Sequence, residues 1–118
     1  MLPDGKSVDV LPNSELVTGA KVADLELDDV FSSGPDSIEP FQATIIASDY
    51  RLTITYAKEF SACVVFTPPH REAICIEPYT CLPDGYNLEK RGLETGLRVL
   101  QPGGSFRSAI EYRVEELT

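Results

Sequence analysis

The stretch FQATIIASDYRLTITYA, residues 41 to 57, decides the fold. In its first half Phe41, Ala43, Ile45 and Ala47 alternate with more polar neighbours, and in its second half Tyr50, Leu52, Ile54 and Tyr56 alternate with Arg51, Thr53 and Thr55. Successive side chains of an extended strand point to opposite faces, so this period of two, rich in β-branched and aromatic residues, predicts two half-buried strands. The break between them is the short polar pair Ser48-Asp49, which predicts a tight antiparallel hairpin.

Outward from the hairpin the pattern repeats. ACVVFT, 62 to 67, runs into Pro68-Pro69, and EAICIEP, 72 to 78, runs into Pro78. Proline has no backbone donor, so both strands are predicted to stop there. SFRSAIEYRV, 105 to 114, follows the turn QPGG and sets Phe106, Ile110, Tyr112 and Val114 on one face, with Ser108 among them and Arg107, Glu111 and Arg113 opposite. Between these strands, residues 79 to 104 are glycine-rich and loop-like, with room in LEKRGLETGL for a broken helical turn at most. Residues 1 to 21 mix Pro, Gly, Asn and Asp with isolated apolar residues and read as an extended opening segment, with strands following over 22 to 118. Several short strands, turn signals between them and no long helix predict an all-β fold, an antiparallel β-sandwich.

Composition bounds the function. The 118 residues suffice for one compact domain. Apolar residues at 42% and charged residues at 25% give the balance of a globular protein. Asp and Glu outnumber Lys and Arg by 19 to 10, and the basic residues are scattered, so nucleic acid is not an expected partner. No apolar run reaches the roughly 20 residues of a membrane span, and MLPDGKSVDV lacks the features of a secretory signal, so a soluble, cytoplasmic protein is expected. Cys63, Cys75 and Cys81 cannot all pair within one chain and match no CxxC spacing, which reads as free thiols. With one histidine, His70, set in a turn after two prolines, neither a metal site nor a cofactor is expected.

Glu77 stands apart from this pattern. It follows the apolar run AICI and precedes Pro78. Alternation puts Ala73, Cys75 and Glu77 on one face and Ile74 and Ile76 on the other, so both faces look buried, as in a central strand. A carboxylate there is costly unless paired or hydrogen-bonded, and a desolvated carboxylate is what a general base working near neutrality requires. The competing reading is a structural ion pair at the strand end, with Arg71 or Arg98 as partner.

Four segments in order carry a resemblance. ICIEPYTCLPDGYN followed by VLQPGGSFRSAIEYRV resembles the C-terminal part of the aldose 1-epimerase (galactose mutarotase) family, whose members carry a Cys-(Leu/Ile)-Glu-Pro segment, a Pro-Asp and an Asn soon after, and a Leu-x-Pro-Gly turn before the last strand. VVFTPP, 64 to 69, is similar to the family strand that ends in a Tyr/Phe-Thr pair, and LELDDVF, 25 to 31, is similar to its Leu-Asp-x-x-Phe segment.

The resemblance implies that the chain is one partial domain, the final strands of a galactose mutarotase-like supersandwich. It implies a hexose of the glucose or galactose class as ligand, with Glu77 as the base that takes the anomeric proton and Asp28 as an acceptor for sugar hydroxyls. Tyr79 or Phe66 would offer apolar surface to a pyranose face, with core packing the competing role for Phe66. The family's histidines, its general acid among them, lie in an earlier region that has no counterpart here, so the 118 residues alone are expected to be inactive or weak. A sandwich reduced to its last strands leaves sheet edges open, so self-association through them is expected. The alternative is a non-catalytic carbohydrate-binding or interaction module on the same scaffold.

Overall fold

The computed structural model describes residues 15 to 32 and 40 to 118. Most of the opening segment therefore lies outside the described residues. Its last part forms a single helical turn, α1 (Glu15–Thr18), followed by a 3-10 turn at Val22–Asp24.

The described residues form six strands, β1 (Asp28–Ser32), β2 (Phe41–Ile46), β3 (Tyr50–Tyr56), β4 (Ala62–Phe66), β5 (Cys75–Tyr79) and β6 (Ile110–Glu116), with one further short helix, α2 (Gly85–Lys90). They build two antiparallel three-stranded sheets, ordered β1-β4-β5 and β2-β3-β6. The fold is all-β, as the sequence pattern predicts.

The hairpin forms as the alternation requires. Phe41 pairs with Tyr56, Ala43 with Ile54 and Ile45 with Leu52, and the Ala47 N–H donates to the Tyr50 carbonyl at 2.9 Å to close the turn. On the other side of β3, Tyr56 pairs with Ile110, Ile54 with Tyr112 and Leu52 with Val114. One face of this sheet thus collects the apolar residues of all three strands. Its centre is Ile54, 3% exposed, and the rings of Phe41, Tyr56 and Phe60 pack in series with centroids 5.7 and 6.2 Å apart. Tyr56 also meets the Cys63 thiol of β4, so the inner faces of the two sheets touch there. Burial raises the pKa of both groups.

In the second sheet Val65, 8% exposed, lies opposite Asp29 on one side and Ile76 on the other. Residues 63 and 65 share the face that turns toward Tyr56, which leaves 62, 64 and 66 on the outer face.

Three expectations need correction. Among the described residues β5 is an edge strand and not a central one, because β4 is its one neighbour there, and Cys75 on it is exposed. Pro78 does not end β5: it pairs with Cys63, and the strand continues to Tyr79. An edge strand directs alternate N–H groups away from the ladder, so a proline there forfeits no bond. The last strand starts at Ile110 and not at Ser105, and on its presumed buried face Tyr112 and Val114 are 59% and 67% exposed. Among the described residues β6 lies at the edge of its sheet, and all of its residues after Ile110 are exposed.

The glycine-rich stretch is more ordered than its composition suggests. α2 ends in a left-handed Gly92 (φ 84°), with Gly92 N–H donating to the Glu89 carbonyl at 2.9 Å and Leu93 N–H to the Leu88 carbonyl at 3.1 Å. This double closure satisfies two carbonyls that a helix end leaves open. Leu88 has no exposed surface, which contributes about 1.5–3 kcal/mol of transfer free energy. The chain then returns so that the Glu89 carboxylate accepts from the Thr95 N–H (2.9 Å) and hydroxyl (2.8 Å), while Leu82 N–H donates to the Thr95 carbonyl at 2.9 Å.

Candidate functional site

Strand register brings the two carboxylates singled out in the sequence onto the same face. Across β1, β4 and β5, Asp28 shares a rung with Phe66 and Cys75, Val30 with Val64 and Glu77, and Ser32 with Ala62 and Tyr79. Opposed residues in an antiparallel pair point to the same side, so all nine stand on the outer face of this sheet. Asp28 and Glu77 are separated by two strand spacings sideways and two residues lengthways, about 12 Å between Cα atoms. That spacing is too wide for carboxylate to meet carboxylate, and the cleft that borders Asp28 is not lined by Glu77 or Tyr79.

Glu77 is half-buried, and its Oε2 accepts a hydrogen bond of 2.9 Å from the Tyr79 hydroxyl. Residues i and i+2 of a strand stand side by side, so the pairing follows from the sequence Glu-Pro-Tyr once the segment is extended. The bond holds the phenol proton and raises the Tyr79 pKa above its ordinary value. Neither arginine proposed as an ion-pair partner reaches Glu77. Arg71 lies 3.3 Å from Glu26, and Arg98 stacks 3.8 Å over the Phe106 ring.

Asp28 is positioned by the chain just before it. The Thr67 hydroxyl, on a residue only 2% exposed, accepts from the Leu27 N–H at 2.8 Å and donates to the Leu25 carbonyl at 3.0 Å. Thr67 N–H donates to the Leu27 carbonyl at 2.9 Å. One threonine therefore pins the approach to β1 against the end of β4. Arg71 completes the arrangement from the turn after the two prolines. Its Nη1 donates to the Thr67 carbonyl at 2.8 Å and the Pro68 carbonyl at 3.1 Å, and its backbone takes a left-handed φ of 59° to do so. Such a conformation is uncommon for a non-glycine residue and persists where the surroundings hold it.

These residues border an open cleft of about 330 Å³, lined among others by Glu26, Asp28, Asp29, Phe66, Thr67 and Arg71. The volume is at the lower end of what small-molecule sites occupy. Carboxylates that accept, a guanidinium that donates and the Phe66 ring at the edge together suit a small ligand dense in hydroxyl groups. Asp28 and Phe66 are legible in the sequence as candidate ligand residues, whereas Arg71 is expected there only as a partner for Glu77; its place at the cleft depends on a backbone conformation that no residue pattern announces.

His70 is exposed, and its Nδ1 accepts from the Glu72 N–H at 3.0 Å, as a turn histidine. All three cysteines are free thiols. Among the described residues no group of three or more His, Cys, Asp or Glu side chains is gathered as a metal site, and no helix is long and apolar enough to cross a membrane. No protein-family model matches the chain, and no solved structure matches it.

Proposed function

We propose that the outer face of the β1-β4-β5 sheet holds a hexose of the glucose or galactose class, and that Glu77 acts there as the base of an aldose 1-epimerase-type anomer exchange. The observation that carries this reading is the placement of Glu77 and Asp28 on one face of the sheet, with Phe66 and Tyr79 on the same face. Asp28 accepts from hydroxyls of the ring. Glu77 takes the proton from the anomeric hydroxyl, the bond between the anomeric carbon and the ring oxygen breaks as that oxygen is protonated from solvent, and the aldehyde recloses on its other face.

In this proposal the chain is the C-terminal portion of a mutarotase-like supersandwich. The one histidine, His70, stands in an exposed turn and supplies no acid to the ring oxygen. Tyr79 is held protonated by Glu77 and is a poor acid for the same reason. The expected rate is therefore lower than that of a complete acid/base pair by on the order of 10²-fold or more. That same lack of an acid favours a second reading, in which the face binds a sugar without turning it over.

A titration with D-glucose and with D-galactose, followed by amide NMR, tests what both readings share. Shifts centred on Asp28, Phe66, Glu77 and Tyr79, abolished in Asp28→Asn, are expected. Spectra that do not move at high sugar concentration would remove both.

A further inference from the structure

We propose that β6 is a self-pairing edge, through which two copies of this chain join antiparallel about a two-fold axis at Tyr112. This is independent of the sugar reading and rests on β6 alone.

Among the described residues, β3 is the one strand paired with β6, so the backbone donors and acceptors along its other edge have no strand partner. Such an edge is a template for a further strand. The side chains beside it are apolar and uncovered: Ile110 is half-buried, while Tyr112 and Val114 are mostly exposed. Just beyond the strand, the Leu117 N–H is engaged with the Asp49 carbonyl at 2.8 Å.

Charge selects the occupant and the register. In a two-fold antiparallel pair, opposed residues share a face, so only registers centred on a residue are allowed. Centred on Tyr112, the pairing sets Glu111 opposite Arg113 twice, Ile110 opposite Val114 twice, and the two Tyr112 rings against each other. Glu115 and Glu116 then fall opposite Ala109 and Ser108, and no two like charges meet. Centring on Arg113 would oppose Arg113 to itself and Glu111 to Glu115, and centring on Glu111 would oppose two glutamates. Centring on Val114 would also set Arg113 against Glu115 twice, but it would put the apolar Tyr112 against Glu116. The Tyr112 register alone matches charge with charge and apolar with apolar. In the single chain Arg113 lies 3.4 Å from Glu111 of its own strand, both well exposed, so each is free to turn to the partner copy.

Within the chain, Glu111 and Arg113 face the neutral Thr55 and Thr53 on β3, and the exchange brings one glutamate beside Glu115 on the same face, where Arg51 lies 4.0 Å from the Glu115 carboxylate. Sedimentation over a wide concentration range at physiological ionic strength, where charge repulsion between the two acidic chains is screened beyond about 8 Å, reads the association. The chain is expected to dimerise. Arg113→Glu turns two attractive contacts into repulsive ones and is expected to weaken the dimer by about tenfold or more. The exchanged variant Glu111→Arg with Arg113→Glu restores both pairs and is expected to dimerise like the parent. Circular dichroism of each variant confirms that β structure is kept. A parent chain that stays monomeric, an Arg113→Glu variant that associates as tightly as the parent, or an exchanged variant that stays monomeric would each overturn the proposal.

Discussion

Thr67→Val is the substitution through which the architecture of the Asp28 cleft can be measured. Valine keeps the shape of the side chain and puts a methyl group where the hydroxyl stood. In the folded chain that hydroxyl accepts from Leu27 N–H at 2.8 Å and from Arg71 Nη1 at 3.2 Å, and donates to the buried Leu25 carbonyl at 3.0 Å. Removing it leaves a part-buried donor without its acceptor, about 1–2 kcal/mol, and deprives the carbonyl of a bond worth about 1 kcal/mol. The backbone bond from Thr67 N–H to Leu27 and the Arg71 contact to the Thr67 carbonyl survive. The net expectation is a loss of about 2–3 kcal/mol. With a urea dependence of about 2 kcal/mol per molar for a domain of this size, the unfolding midpoint should fall by about 1–1.5 M with an unchanged slope. Thr67→Ser keeps the hydroxyl and loses one methyl, about 0.8 kcal/mol. A Thr67→Val midpoint within error of the parent, or a Thr67→Ser chain as destabilised as Thr67→Val, would refute the claim that this hydroxyl clamps β1 to the end of β4.

Two further outcomes follow from the loop around α2. Gly96 has a φ of 82°, and a Cβ there would stand 2.7 Å from the Ser61 hydroxyl and 2.9 Å from the Thr80 carbonyl, so Gly96→Ala should cost about 1–3 kcal/mol in urea unfolding; Gly92→Ala, with an equally left-handed backbone but nothing within 4 Å, should cost less. The Glu89 carboxyl is held below its ordinary 4.5 by the Thr95 N–H and hydroxyl. Its folded pKa is depressed, so its contribution is present above pH 4.5 and lost as the pH falls through the lower folded value; stability profiles of the parent and Glu89→Gln should converge on the acid side, and parallel profiles would count against the contact.

The hairpin was legible because its alternation is intrinsic: a strand that buries one face must read Phe41, Ala43, Ile45 and then Leu52, Ile54, Tyr56. The strand starts were less so. Pro78 looked like a stop because sequence alone does not reveal which strands lie at sheet edges, where proline is tolerated. Glu77 looked shut between two apolar faces for the same reason, and the structure sets it half-buried on an edge strand beside Tyr79. Asp28 and Glu77, 49 residues apart in sequence, share a face only because β4 lies between their strands, a register that local pattern does not encode. The order around Thr95 was missed because it rests on one glutamate reaching six residues ahead, in a stretch whose glycines suggest looseness.

The central claim is that Glu77 is a base for anomer exchange, and magnetisation transfer between the α and β anomeric protons of D-galactose or D-glucose tests it without a coupled assay. With the chain present, exchange should run faster than in buffer alone, by a modest factor that fits a base without its acid. Glu77→Gln, which keeps the shape and the hydrogen bond from Tyr79 but cannot take a proton, should return it to the buffer rate. Exchange at the buffer rate with the parent chain, or acceleration that survives Glu77→Gln, would contradict the account.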